Sequence, residues 1–352
     1  MDRLNPAQKA AAAIVLSGVV MLVVVPLLYF VTIAFSSAVE LSEFPKRILP
    51  AWKLTVLVKP AEEGEYEIFH DRRDGRGYRS VITIPDTAAG AVRLENHFKR
   101  QYNVARSGAE LLEDFRAVRA EGPLEFSYAK QALYNFNQFF KIVNNAAPAL
   151  KNSIIVSLLT ILISLSLGSM AGFAMARYQF RFKEKISLAI LVVRMFPVVG
   201  ITIPMAKLLI RVGLFDTLIG LALLYSAPNI ALTAWISSSI FVGISRELEE
   251  ASKIFGANAA QTFFRITAPL AFPAMAASSM YAFNTAWNDT ISALILTNRN
   301  QTLSLVVYKA IGTTSSGIQY AAAGSIILIL PALMFTFIVR RYINQMWGGA
   351  VL

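Results

Sequence analysis

The sequence predicts an all-α membrane protein of six transmembrane helices, with a small α/β insertion between the first two. Three observations carry that expectation. Hydrophobic residues make up 55% of the 352 residues and charged residues 16%, whereas soluble domains are about 25% charged. Six apolar runs each approach the ~20 residues that a helix needs to cross about 30 Å of hydrocarbon. A long polar stretch separates the first run from the second and carries most of the charge.

The formal net charge of +11 does not point to nucleic acid. Basic residues outside the long polar stretch fall largely at the ends of apolar runs, where they set topology, and the chain has no single basic patch with interleaved aromatics. Cysteine is absent, which excludes disulfides, thiolate metal sites and a Cys nucleophile. His70 and His97 are the only imidazoles, and both lie outside the apolar runs, so no metal site is expected.

The first span is expected over Ala10 to Phe35. It is longer than a signal-peptide core and lacks a small-residue cleavage site, so it reads as retained. The others are Ser153 to Ala176, Ile186 to Ile210, Leu218 to Val242, Pro269 to Leu296 and Tyr320 to Val339. Pro26, Pro197, Pro204, Pro228 and Pro273 fall inside spans, where neighbouring helices can re-satisfy the backbone. Arg3 and Lys9 precede the first span, Arg177, Arg181, Lys183 and Lys185 follow the second, and Arg340 and Arg341 follow the last. Six spans put these on one side, so both termini and the loop Gly243 to Ala268 are expected in the cytoplasm.

The stretch Ser36 to Ala147 is then extracytoplasmic. Lys53 to Lys59 and Tyr78 to Ile84 have strand character, Arg93 to Gln101 and Ala109 to Ala120 helical character. Gly75, Gly77, Pro85 and Gly90 punctuate the stretch. Its two open readings are a folded cap without chemistry and a contact surface for a soluble partner or substrate. The resulting organisation is 1–36 tail and first helix, 37–147 insertion, 148–345 transmembrane core with loop 243–269, and 346–352 tail.

That loop reads Glu249-Glu250-Ala251-Ser252-Lys253-Ile254-Phe255-Gly256-Ala257 and continues through Gln261, Phe263, Phe264 and Ile266 to Pro269. It has the form of a short helix, a glycine turn and a second short helix ending at the proline. Gly256 permits positive φ and close approach of the two helices. Ala251 and Ala257 leave shallow surfaces, and Phe255, Phe263 and Phe264 supply apolar anchors. Such a loop is either a knob for another protein's cleft or an amphipathic hairpin lying on the membrane.

The pattern Glu250-Ala251-Ser252, then Gly256, then Ile266-Thr267-Ala268-Pro269 resembles the coupling loop, or EAA motif, of ABC importer permeases. Ser replaces the third motif residue and Ala the Leu before the proline. The resemblance extends to the MalG-like group of the maltose-type carbohydrate permeases through Asn152-Ser153, Ala171 to Arg177 with Phe180, Met195-Phe196-Pro197, Trp287-Asn288-Asp289, Arg341-Tyr342 and Gly348-Gly349. The extracytoplasmic segment is longer than is usual there, and Arg194 stands where a smaller polar residue is usual.

This resemblance implies a type I ABC importer permease fold in a bacterial inner membrane and half of a translocation pathway for a sugar or oligosaccharide of maltose/trehalose type. The implied partners are a second, MalF-like permease subunit, two copies of an ATPase subunit and an extracytoplasmic sugar-binding protein, with membrane lipid around the spans and no nucleic acid. Glu249, Glu250, Ala251, Ser252, Phe255, Gly256, Ala257, Phe264 and Pro269 would couple to the ATPase. The chain has no G-x-x-x-x-G-K-[ST] loop, so it is expected not to be an enzyme and to bind no cofactor, with ATP and Mg on the partner.

Polar residues in apolar spans usually face the bundle interior or a wet cavity. Arg194, Asn229, Asn284, Asn288 and Asp289 are therefore the expected pathway residues, with Tyr225, Tyr281 and Trp287 as rings that stack on sugars. Each has a structural alternative, an interhelical hydrogen bond or a place in the aromatic belt. Gly168 and Gly172 fit a small-residue packing face. Rival readings are a permease for a polyol or sugar phosphate, a six-helix sensor and a secondary transporter. The insertion's Glu62, Glu63, His70, Asp71 and Asp74 read as a solvated charged turn and not as an acid/base site, while Arg72, Arg73, Arg76 and Arg79 leave binding of phosphate or glycan open as a further reading.

Overall fold

The computed structural model describes residues 6–43, 49–61, 64–71, 77–313 and 317–348. Glu62, Glu63, Arg72, Arg73, Asp74, Arg76 and Gly349 lie outside them, as does the side chain of Arg194. The chain forms two compact units, residues 1–143 with 310–326, and residues 144–309 with 327–352.

The first unit opens with α1, Pro6–Phe35, through which Pro26 passes without a break. Leu, Ile and Val from Ile14 to Val31 stay exposed, as a lipid-facing helix requires, and only the end of the helix, at Ile33 and Ala34, is buried. Next come α2 (Ala38–Ser42), β1 (Lys53–Pro60), β2 (Glu65–Asp71), β3 (Tyr78–Pro85), α3 (Ala88–Tyr102), α4 (Gly108–Arg116), α5 (Val118–Glu121), β4 (Leu124–Ala129) and α6 (Tyr134–Ile142). The strands form one antiparallel sheet in the order β3-β2-β1-β4. Alternation sends Leu54, Val56 and Val58 of β1 inward with Tyr66 and Ile68 of β2. They meet Leu94, Phe98 and Tyr102, which recur every fourth residue on α3, and Leu111 and Phe115 of α4. The predicted strands and helices are present. β2 and β4 were not anticipated, because β2 is interrupted by Glu65, Glu67 and Asp71 and β4 is short.

The insertion is pinned to the end of α1. Asn135 donates to the carbonyls of Ala34 and Ser36, both at 2.8 Å, and Asn103 donates to Asn135 at 3.3 Å. These bonds satisfy carbonyls that the helix end leaves orphaned.

The second unit contains α7 (Ala146–Arg177), α8 (Lys183–Met195), α9 (Val198–Arg211), α10 (Leu218–Gly243), α11 (Arg246–Ile254), α12 (Ala259–Thr262), a π turn (Phe263–Thr267), α13 (Ala268–Asn288) and α14 (Ile291–Leu296). α15 (Leu303–Thr313) and α16 (Ile318–Gly348) close the chain. Gly168 and Gly172 allow α7 to lie directly on α10: a Cβ on Gly168 would stand 2.5 Å from Thr233, and one on Gly172 would stand 2.7 Å from the Ala234 carbonyl.

Among the described residues, four helices are long and apolar enough to span: Ala10–Phe35, Ala146–Arg177, Leu218–Gly243 and Ile318–Arg341. Two bent pairs bring the number up to six. The expected third span is one of them: it breaks at Pro197, and its halves differ in direction by 98°. The fifth is the other, turning by 76° between Phe272 and Met275, next to Pro273. It also ends earlier than expected, at Asn288, with Asp289 as its C-cap and α14 as a separate helix. Proline supplies no N–H and crowds the preceding turn, so these two positions bend.

Candidate functional site

The hairpin that follows α10 is built from local rules. Ser245 caps α11, accepting the Glu247 N–H at 3.2 Å. At its other end, Gly256 N–H donates to Lys253 at 2.9 Å and Ala257 N–H to Ser252 at 3.0 Å, the Schellman pattern. Gly256 has φ +84°. A Cβ there would meet nothing within 4 Å, so the glycine serves the left-handed backbone and not the close helix approach expected from the sequence. Asn258 and Gln261 then form a reciprocal capping box for α12.

Inside the hairpin, Glu249 Oε1 accepts Arg177 Nε at 2.7 Å and the Thr267 hydroxyl at 3.3 Å. Arg177 also donates to the Ile244 carbonyl at 2.9 Å. The Ser252 and Thr262 hydroxyls are 2.7 Å apart. Glu249 and Ser252 are thus internal fastenings, whereas Glu250, Ala251, Phe255, Gly256, Phe264 and Pro269 are exposed and Ala257 is half-buried. Phe255 is 89% and Ile254 84% exposed, an apolar knob at the turn.

Two expectations about the loop change. Phe263 is no outward anchor: it is buried 5.0 Å from the Phe173 ring. Nor does the second helix end at Pro269. The π turn carries it into α13, where the proline occupies an N-terminal position that needs no N–H. Arg177, marked in the sequence as a topology charge and as the end of the Ala171 to Arg177 resemblance, is the fastening that sequence reasoning missed. Nothing local signals a pairing across so many residues.

On α13, Tyr281, Asn284 and Asn288 share one face by helical spacing. Tyr281 and Asn288 are exposed and Asn284 is half-buried. Among the described residues neither amide has a hydrogen-bond partner. The remaining pathway candidates are occupied. Trp287 is 1% exposed, stacks on Phe283 at 5.3 Å and donates to the Leu328 carbonyl at 2.8 Å. Tyr225 is fully buried and donates to Asp289 Oδ2 at 2.8 Å, an oxygen that also accepts the N–H groups of Ser292 and Ala293. Asn229 is buried and donates to the Tyr225 carbonyl. The Arg194 side chain lies outside the described residues. Among those residues, no group of three His, Asp, Glu or Cys side chains is placed to share a metal ion.

Two further fastenings hold the bundle. Asn152 donates to the Gln301 carbonyl at 3.0 Å and Ser153 accepts the Leu303 N–H at 2.8 Å, which is what this Asn-Ser pair does at the start of its span. Asp216, in the left-handed region at φ 54°, accepts the N–H groups of Asn298, Arg299 and Asn300. Burial works against its carboxylate, but these backbone donors outweigh it and hold the carboxyl below its ordinary value.

A family model for the binding-protein-dependent transport system inner membrane component matches residues 164–347, from within α7 through the hairpin to the end of α16. The chain belongs to this family. Its shared region contains the hairpin and the α13 face and leaves out the insertion. This inner membrane component is 36% identical over 210 residues to the trehalose transport system permease protein SugB of Mycobacterium tuberculosis, an alignment covering 58% of this chain and 77% of that one. It is 29% identical over 227 residues to the trehalose/maltose transport system permease protein MalG of Thermococcus litoralis, covering 63% and 82%. The arabinooligosaccharides transport system permease protein AraQ of Halalkalibacterium halodurans is 29% identical over 203 residues, covering 57% and 72%. The fold of the present chain resembles a chain of a bacterial ABC transporter involved in the import of the acidic polysaccharide alginate, with a TM-score of 0.60 and 16% identity, covering 96% of this chain and 98% of that one.

Proposed function

We propose that this membrane component is the permease subunit of an ATP-driven, binding-protein-dependent importer for a sugar or oligosaccharide, coupled to its ATPase through the hairpin Arg246 to Thr267. One observation carries the reading. An apolar knob, Ile254 and Phe255, projects from a turn that is itself locked to the span above it by the buried Arg177–Glu249 pair. Burying each of these side chains in a partner's groove contributes about 1.5–3 kcal/mol. A knob meant to lie loosely on a membrane has no need of the lock.

Arg177 ends α7, and the π turn leads without a gap into α13. Movement of a docked ATPase is therefore delivered to two spans at once. ATP and Mg bind the ATPase subunits, and their closure swings the permease between inward- and outward-facing states. The face Tyr281, Asn284, Asn288 supplies amides for sugar hydroxyls and one ring for an apolar sugar face. A second, MalF-like permease completes the pathway, and an extracytoplasmic binding protein delivers the sugar. Both termini and the hairpin are cytoplasmic in this reading. The relatives named for trehalose, maltose and arabinooligosaccharides support the substrate class.

The test is co-purification from the native membrane with gentle solubilisation, comparing wild type with Gly256→Asp. Wild type is expected to bring down an ATPase subunit, and the variant to lose it while remaining inserted. Wild-type chain that recovers no ATPase subunit overturns the reading in favour of a secondary transporter or sensor.

A further inference from the structure

Both histidines of the chain are left over by the transport reading, and the structure brings them to one place. A cavity of ≈ 410 Å³ opens in the insertion between the β2–β3 side of the sheet and the C-terminal end of α3. Clefts of about 300–1,000 Å³ are the usual size for small ligands. His70 lines it from β2, and His97 and Tyr102 line it from α3. The Tyr102 ring lies 5.4 Å from the His70 ring and 5.7 Å from the His97 ring.

Among the described residues, three buried polar atoms at this place have no hydrogen-bond partner: His70 Nδ1, His97 Nε2 and the Tyr102 hydroxyl. Tyr102 is 1% exposed, so water reaches its hydroxyl no better than protein does. Buried polar groups are ordinarily paired, and three orphans around one cavity mark a missing partner. His70 Nε2 is engaged by Glu43 Oε1 at 2.6 Å, which orients the ring and leaves Nδ1 free. At the exposed rim stand Arg79, Ser80 and Gln101. Among the described residues Arg79 has no carboxylate partner.

Donors prevail in this set. Tyr102 offers an O–H, Arg79 a guanidinium fork and Gln101 an amide; His70 Nδ1, its ring donating through Nε2 to Glu43, is an acceptor for a ligand hydroxyl, and the one carboxylate among the described lining residues already serves His70. What fits is a compact molecule that brings acceptors and negative charge. We infer that the insertion holds a binding site for a small oxyanion-bearing molecule of about monosaccharide size, seated on His70, His97 and Tyr102 and clamped at the rim by Arg79. The inference rests on the insertion alone and stands or falls apart from the transport reading.

The experiment is isothermal titration of the purified full chain in detergent with glucuronate, glucose 6-phosphate and glucose. At least one anion is expected to bind and glucose to bind at least about tenfold more weakly, with Tyr102→Phe and Arg79→Gln each weakening the anion about tenfold. Binding of glucuronate alone assigns a carboxylate, and binding of the phosphate alone assigns a phosphate. Arg79 is exposed on an edge strand, so its variant keeps the fold. Failure of both anions to bind, affinity indifferent to both variants, or glucose bound as tightly at a site lost in Tyr102→Phe overturns the proposal.

Discussion

Replacing Glu249 should do more damage than its position on a surface hairpin implies. Its side chain is 10% exposed and that of Arg177 8%, so neither charge is well screened by water. Glu249 Oε1 takes a short bond from Arg177 and a longer one from Thr267, while the Ile244 carbonyl is the other acceptor for the guanidinium. Glu249→Leu thus strands a buried cation with one neutral acceptor, at a cost of about 3–5 kcal/mol. Arg177→Met strands the carboxylate with one hydroxyl, at a similar cost. The double variant leaves two apolar side chains of comparable volume and should recover much of the loss. A cycle of the two single variants and the double, unfolded in mixed detergent and SDS micelles, should return a coupling of about 2 kcal/mol or more, within the range for contacting residues. A solvent-screened pair gives about 0.2–1 kcal/mol. A measured coupling below about 0.5 kcal/mol would refute the claim that this pair locks the hairpin to α7. If the lock also transmits ATPase movement, ATP-driven sugar uptake in proteoliposomes should fall in the single variants and partly return in the double.

Two more outcomes follow from the same reasoning. Burial raises the carboxyl of Glu40, but hydrogen bonds from Lys130 (2.6 Å) and the Ser37 and Ala51 amides outweigh it and hold the group below 4.5. Because the folded value is depressed, its stabilising contribution is complete above the unfolded value and disappears as pH falls through the folded one; Trp52 fluorescence in Glu40→Gln should therefore lose an acid-induced step, on the acid side of the ordinary glutamate value, that wild type shows. Asn284→Ala and Asn288→Ala leave no buried group unpaired, so both should keep wild-type thermal stability while raising the KM of uptake several-fold, and unchanged uptake kinetics in both would remove α13 from the pathway.

Span positions were legible in the sequence because lipid imposes one strong rule, a run of apolar residues long enough to satisfy the backbone within itself. α1, α7, α10 and α16 follow that rule and lie where hydropathy puts them. Breaks at Pro197 and near Pro273 are visible as residues but not as angles. Proline removes a donor, and whether the chain then bends by 98° or runs straight through, as at Pro26, depends on what packs beside it. The turn at Gly256 was readable for a local reason, since a left-handed residue between two short helices favours glycine.

The hairpin pattern and the pathway residues divide differently. Position in a spaced motif is a property of the chain, so Glu249 and Ser252 were marked correctly as part of the hairpin. Which way a side chain points is not. Glu249 turns inward because Arg177 reaches it from the end of another helix, and Phe263 turns inward because Phe173 and Phe241 enclose it. Tyr225 and Asp289 were each plausible sugar contacts alone, and their mutual bond at 2.8 Å makes them a helix fastening.

By itself, then, the sequence determined the membrane class, the long spans, the mixed insertion, the hairpin motif and its family, because all of these rest on composition, periodicity and spacing along the chain. The tertiary structure decided which polar groups are used up and which remain for a ligand. It paired Arg177 with Glu249, left the Asn284–Asn288 face open, and collected His70, His97 and Tyr102 around one cavity. Pairing depends on distances between residues far apart in sequence, and those are set only when the helices and the sheet have packed.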